Sequence, residues 1–183
     1  DFVGREGENG LAEIVVFENA RLFDGLAPHL QEGATVVVEG DRIREVGFTR
    51  YAGAAARRID LAGRVLMPGL IDAHFHAIAA HPDLGRIEAM PRSLLAQHCR
   101  RLLESALQRG FTSLRDAAGA DYGLAMAIES GLIEGPRLFF AGKALTQTGG
   151  HGDFSPYEGA SVSVCHCCRG GATLSHIADG VDE

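Results

Sequence analysis

The stretch Met67-Pro68-Gly69-Leu70-Ile71-Asp72-Ala73-His74-Phe75-His76 constrains this chain more than any other. It is a short apolar run that opens at a proline-glycine break and closes on two histidines one residue apart. A run of that length bounded by breakers reads as a β-strand. Side chains alternate along a strand, so Asp72, His74 and His76 share one face while Ala73 and Phe75 take the other. Two imidazoles roughly 6–7 Å apart at Cα can converge on one ion, and neutral imidazole is the commonest protein ligand for metals such as Zn²⁺. The same spacing also suits two strand-end histidines hydrogen-bonded to loop backbone, because two ligands alone do not make a zinc site.

Pro68-Gly69 also marks a change of pattern along the chain. Residues 1–12 are polar, glycine-containing and aperiodic, and read as a flexible arm without function. Residues 13–67 hold short β-rich runs: Ile14–Phe17, Ala34–Val38, Ile43–Val46, Arg58–Leu61 and Arg64–Met67. Gly40-Asp41 and Ala62-Gly63 stand at hairpin positions between neighbouring runs, which predicts an antiparallel β unit. From residue 68 onward strands and helices alternate, the pattern of a parallel sheet built from βαβ units. The strands are expected over Leu70–His74, Phe111–Asp116 and Arg137–Ala141. Between them, Ser93 is placed to cap a helix with apolar positions at Leu95, Cys99, Leu102, Leu103, Ala106 and Leu107, stopped by Gly110. A second helix is expected from Tyr122 to Ser130, ended by Gly131. The last forty-odd residues read as a long glycine-, serine- and cysteine-rich loop with a weak helical start near its end, and loops of that length are usually functional or disordered.

A second chemical feature lies in this loop, at Thr148-Gly149-Gly150-His151-Gly152-Asp153. Its glycines let backbone approach a ligand, and the His151 imidazole could hold a substrate carboxylate or carbonyl. The alternative is a surface turn. A phosphate cradle fits less well, since no Lys-Ser or Lys-Thr follows and no helix starts directly after the glycines. Such a loop is expected to move freely until a ligand orders it.

The two features together resemble the amidohydrolase superfamily. Gly69-Leu70-Ile71-Asp72-Ala73-His74-Phe75-His76 is similar to the first-strand signature Gly-Leu-Ile-Asp-x-His-x-His. Ala144 to Asp153 resembles the loop after the third strand in the imidazolonepropionase-like and prolidase-like branch. The resemblance runs from about Glu13 to the end of the chain. It implies an α/β fold: a (β/α)₈ TIM-type barrel, here represented by residues 68–183, preceded by a small antiparallel β-sandwich domain, here residues 13–67. It implies a divalent metal, Zn²⁺ in one or two copies, with His74 and His76 as ligands and His151 as a substrate contact; Asp72, on the same strand face, lies deeper than the pair. Asp72 orients a histidine or is simply satisfied inside the barrel. The activity implied is hydrolysis of carbon-nitrogen bonds in small molecules, dipeptides or N-acyl amino acids. Cyclic amides, or a non-catalytic α/β binding module, are the alternatives.

A barrel of this kind typically needs about 250 residues, and 117 follow Leu66. The chain is therefore expected to be the N-terminal part of a longer protein and inactive by itself. No catalytic acid or base is assigned within it. Lys143 is tempting as a carboxylated bridging lysine, but in the resembling family that lysine comes from the fourth strand, and Lys143 follows the third. Asp116 is expected to cap the helix after its strand. Cys165, Cys167 and Cys168 crowd around His166 in a spacing that matches no usual zinc motif.

Composition closes off other classes. A net charge of −7 and a pI near 5.6 argue against nucleic acid or anionic membrane as partner, since both call for clustered Lys and Arg. A small-molecule substrate remains, with a homo-oligomer left open. No apolar stretch approaches a membrane span and no signal-peptide pattern opens the chain, so the cytoplasm is the default expectation.

Overall fold

The structure is a computed structural model describing residues 13–53, 56–153 and 174–181. The expected arm over residues 1–12 and the cluster Cys165, Cys167 and Cys168 lie outside these. The chain divides at Pro68/Gly69 into two compact units.

The first unit is one mixed sheet, and it stands where the resemblance implies a sandwich. Its strands are β1 (Ile14–Leu22), β2 (Gln31–Glu39), β3 (Arg42–Gly47), β4 (Ala56–Asp60) and β5 (Val65–Leu66). β2 pairs antiparallel with β1 and with β3, and Glu39 faces Arg42 across the tight turn at Gly40. The hairpin expected at Gly40-Asp41 is present. The one expected at Ala62-Gly63 is not. β4 and β5 both pair in parallel with β1, the first along Ile14–Glu18 and the second along Arg21–Leu22. The step between them falls where β1 is interrupted at Asn19, which has a positive φ of 57°. The Gly63 N–H donates to the Asn19 carbonyl, and the Asn19 side chain donates to Asp60. The turn thus moves the chain along the β1 edge instead of reversing it. Ala20, Leu22, Ala34 and Val36 form the buried cluster, with Phe17, Val38, Leu61 and Leu66 packed on it.

The second unit is parallel. β6 (Leu70–Phe75), β7 (Phe111–Asp116) and β8 (Arg137–Phe139) lie side by side in sequence order, as the alternating pattern predicts. Helix α2 (Arg92–Gln108) buries Leu95, Cys99, Leu103 and Ala106, a single stripe at helical spacing. Leu103 and Ala106 join Ala77, Leu114, Ala120 and Leu138 in one buried cluster. Full burial of one such leucine contributes about 1.5–3 kcal/mol. Gly110, at φ 93°, ends α2, a conformation that favours glycine. The helix starts differently from the expectation. Pro91 precedes its first residue and Ser93 lies inside the first turn, with no side-chain cap. Proline's fixed φ supplies the entry geometry that a capping hydroxyl would otherwise help to set.

A short helix, α1 (Leu84–Glu88), capped by the Asp83 side chain, was not foreseen, because five residues are too few to show a period. Helix α3 (Tyr122–Glu129) follows β7 and ends at Ser130 before Gly131. The final expectation is also corrected. Instead of a helical start, Ser175–Ile177 is a strand, β10, paired in parallel with β9 (Ala144–Thr146). Its backbone groups are satisfied by a partner about thirty residues earlier, a pairing that local propensity does not encode. Among the described residues no helix is long and apolar enough to cross a membrane.

Candidate metal centre

The carboxyl ends of β6, β7 and β8 gather at one edge of the parallel sheet, where parallel α/β folds bind ligands. Their loops are stitched together by backbone. Ala117 N–H donates to the Phe75 carbonyl (2.7 Å), Gly119 N–H to Gly142 (2.6 Å), and Gly142 N–H to Ala120 (3.1 Å).

At this edge His74 is exposed and His76 half-buried. Their ring centroids lie 5.2 Å apart with the planes at 77°. Both line a cavity of about 650 Å³ together with His151, Ala118, Thr146 and Gly152. The three histidines singled out in the sequence therefore face one space, although residue 151 is 75 positions from residue 76. His76 Nδ1 lies 3.3 Å from the Ala118 carbonyl. A carbonyl oxygen only accepts, so this contact puts the proton on Nδ1 and leaves the Nε2 lone pair for another partner. That is the arrangement typical of a metal-ligating imidazole. The donor set fits a divalent ion as two members of a larger set. Among the described residues no group of three His, Cys, Asp or Glu could hold a metal alone.

Asp72 contacts main chain: its Oδ1 accepts the His74 N–H at 3.0 Å, and it is not among the residues lining the cavity. Asp116 departs from expectation. The cap of α3 is Asp121, which accepts the Leu124 N–H at 2.9 Å. Asp116 itself is fully buried, with Oδ1 accepting the Ala77 N–H at 2.7 Å and Oδ2 the Ala120 N–H at 3.0 Å. Loss of water pushes its carboxyl above the usual range, opposed by those N–H donors and by His76. Its signature in the sequence was an aspartate closing a strand just before the small residues Ala117-Ala118-Gly119-Ala120. A capping aspartate would leave much the same trace.

The loop carrying His151 is tied by side-chain hydrogen bonds. Asp179 takes the Thr148 N–H (2.7 Å) and hydroxyl (2.6 Å), and Asp153 takes the Gly149 N–H (2.7 Å). The Ser175 hydroxyl donates to the Gly152 carbonyl. The Thr148 hydroxyl first and its N–H second draw the Asp179 carboxyl below its ordinary value. Leu174 and Ser175, from the segment opening β10, also line the cavity. Sequence reasoning missed them, since they carry no motif. Lys143 is exposed and outside the lining. Cys99, whose thiol burial pushes up to about 11, packs in an apolar cluster with Ile78, Ile87, Leu95 and Leu174.

A parallel strand-helix unit with histidines at the carboxyl end of its first strand defines the class, and comparison with known proteins defines the family. Residues 65–177 match the amidohydrolase family. The chain belongs to that superfamily, in its prolidase and imidazolonepropionase-like branch, and the family is typically metal-dependent. A crystal structure of a prolidase complexed with N-methylphosphonate-L-proline superimposes with a TM-score of 0.84 at 41% identity, covering 92% of this chain and 41% of that one. An ochratoxinase from Aspergillus niger is 38% identical over 138 residues, 65% of this chain and 27% of the relative. An imidazolonepropionase from Streptomyces griseus is 27% identical over 169 residues, 81% of this chain and 40% of the relative. The chain thus spans between about a quarter and two fifths of the length of these relatives.

Proposed function

We propose that the whole protein hydrolyses amide bonds of small molecules bearing a free carboxylate, dipeptides or N-acyl amino acids. Its three parallel strands would begin a (β/α)₈ barrel, with His74 and His76 supplying two ligands to a divalent ion, Zn²⁺. The observation that carries this reading is the convergence of His74, His76 and His151 on one cavity, in a chain 41% identical to a prolidase. When bound, the ion supplies Lewis acidity toward an amide carbonyl and toward water.

The chain's own residues do the rest of what can be assigned to it. His74 and His76 act as neutral donors, with His76 oriented through Nδ1 by the Ala118 carbonyl and the His74 main chain held by Asp72. His151 faces the same cavity, and its imidazole N–H can donate a hydrogen bond to a carboxylate. That sets the reactive amide at a fixed distance from the histidine pair, which is the positioning a hydrolase needs. Similarity to an imidazolonepropionase over 81% of the chain supports a cyclic amide as the second reading.

The test is turnover by the whole protein of an Xaa-Pro dipeptide panel, N-acyl amino acids and imidazolonepropionate, with metal content measured in parallel. Dipeptide or N-acyl turnover, lost together with bound metal in the His74→Ala/His76→Ala variant, supports the first reading. Turnover of the cyclic substrate alone selects the second. Unchanged metal content in the double variant removes both histidines from the ligand set.

A further inference from the structure

We propose that Asp116 is a positioning residue for His76, holding the loops on both sides of the imidazole so that Nε2 faces the cavity. This rests on the reading of His76 as a metal ligand. Asp116 is fully buried, so its two oxygens have only protein to bind, and both accept from backbone N–H groups. Oδ1 takes Ala77, the residue bonded to His76, at 2.7 Å. Oδ2 takes Ala120 at 3.0 Å, two residues from Ala118, whose carbonyl meets His76 Nδ1 at 3.3 Å. One carboxylate thus fixes the backbone that carries the ring and the loop that carries the ring's hydrogen-bond partner.

A second feature locks the same geometry. Gly119 has φ +100°, and a Cβ there would lie 2.1 Å from Ile78 Cδ1. Only a glycine lets residues 117–120 lie this close to the segment leaving His76. The Ala118 carbonyl is therefore held on the Nδ1 side from two directions, by the carboxylate and by this packing. Which imidazole nitrogen carries the proton is decided by the partner of the other nitrogen. A loop that drifts would let the proton move to Nε2, and a protonated Nε2 has no lone pair for a metal.

Asp116→Asn is the discriminating change. An amide has one acceptor oxygen and an NH₂ donor, so one of the two backbone N–H groups would face a donor while the volume is kept. Asp116→Glu keeps the charge and both acceptors but displaces them by a methylene. The experiment uses the whole protein with ¹⁵N-labelled histidine. Side-chain NMR of the metal-free form reads the His76 tautomer, assigned by the signal lost in His76→Ala. Competition with a chelator reads the Zn²⁺ Kd well below the thermal midpoint, and thermal unfolding is followed separately.

The expected result is a parent His76 protonated on Nδ1, mixed tautomers in both Asp116 variants, and Zn²⁺ binding weakened by roughly 10–100-fold. A merely structural Asp116 would lower the thermal midpoint and move neither tautomer nor Kd, and that outcome overturns the proposal. So does a parent His76 protonated on Nε2, a measurement that decides even where a variant does not fold. Parent metal content retained in His74→Ala/His76→Ala overturns the ligand reading instead, while the tautomer still reports on Asp116.

Discussion

Two histidine-bearing loops border the same cavity, and each is held by aspartate, but in opposite surroundings. The loop after β6 is held by Asp116, which water does not reach. The loop after β9 is held by Asp179 and Asp153, with the Asp179 contacts at Thr148 exposed. The hydrogen-bond chemistry is the same in both. What differs is the competitor. Water can replace Asp179 at Thr148, so that tie contributes only the difference between two satisfied states, whereas nothing can replace Asp116 at Ala77 and Ala120. The pKa directions record the same contrast: burial raises Asp116, while the Thr148 donors lower Asp179. On the proposed reading, the histidine that would hold a metal sits on the buried side, and the one that would meet substrate sits on the side that solvent reaches.

The sharpest break of this comparison is Asp116→Ala, which leaves two buried N–H groups without acceptors. At about 1–3 kcal/mol for each unsatisfied group, a loss of roughly 2–6 kcal/mol is expected in denaturant unfolding of the whole protein. A loss under about 0.5 kcal/mol, the range of an ordinary surface change, would mean that water reaches the site. Next comes Gly119→Ala, which forces a side chain into a left-handed conformation against Ile78. Strain plus overpacking should cost about 1–3 kcal/mol. Wild-type stability in that variant would show that the 117–120 loop can retreat, and the loop would then not be a rigid support for His76.

Asp179→Ala should do much less globally. Amide exchange at Thr148 and its neighbours should quicken while the thermal midpoint moves less than in either variant above. A midpoint shift as large as that of Asp116→Ala would erase the distinction between the loops. The smallest effect is on pH. Asp179 lies below its ordinary 3.8 in the folded protein, so its contribution is present above that value and is lost as the pH falls through the lowered folded value. Asp116 runs the other way. Its raised pKa means that the folded state holds the proton more tightly than the unfolded chain does, so protonating it favours folding and begins at a higher pH. In the metal-free protein, the Ala77 and Ala120 amide signals should therefore titrate before those of Thr148 as acid is added. The reverse order in an NMR titration would refute the assignment of buried and exposed ties.

Much of this arrangement was legible in the order of residues. Period-two alternation puts His74 and His76 on one face, helical spacing marks the buried stripe of α2, and Gly110 and Gly131 end their helices, all because neighbours a few positions apart set these features. The Gly40 turn is equally local. The errors came where a distant partner decides. β4 and β5 run parallel to β1 because the interruption at Asn19 accepts a turn from residues some forty positions later. β10 exists because β9 offers an edge. Asp121, not Asp116, caps α3, because folding sequesters Asp116 between two loops that its own neighbours do not reveal. A short carboxylate at a strand end reads the same whether water or backbone will meet it. Only the tertiary structure decides which, since burial removes water as the alternative partner and turns an interchangeable hydrogen bond into an obligatory one.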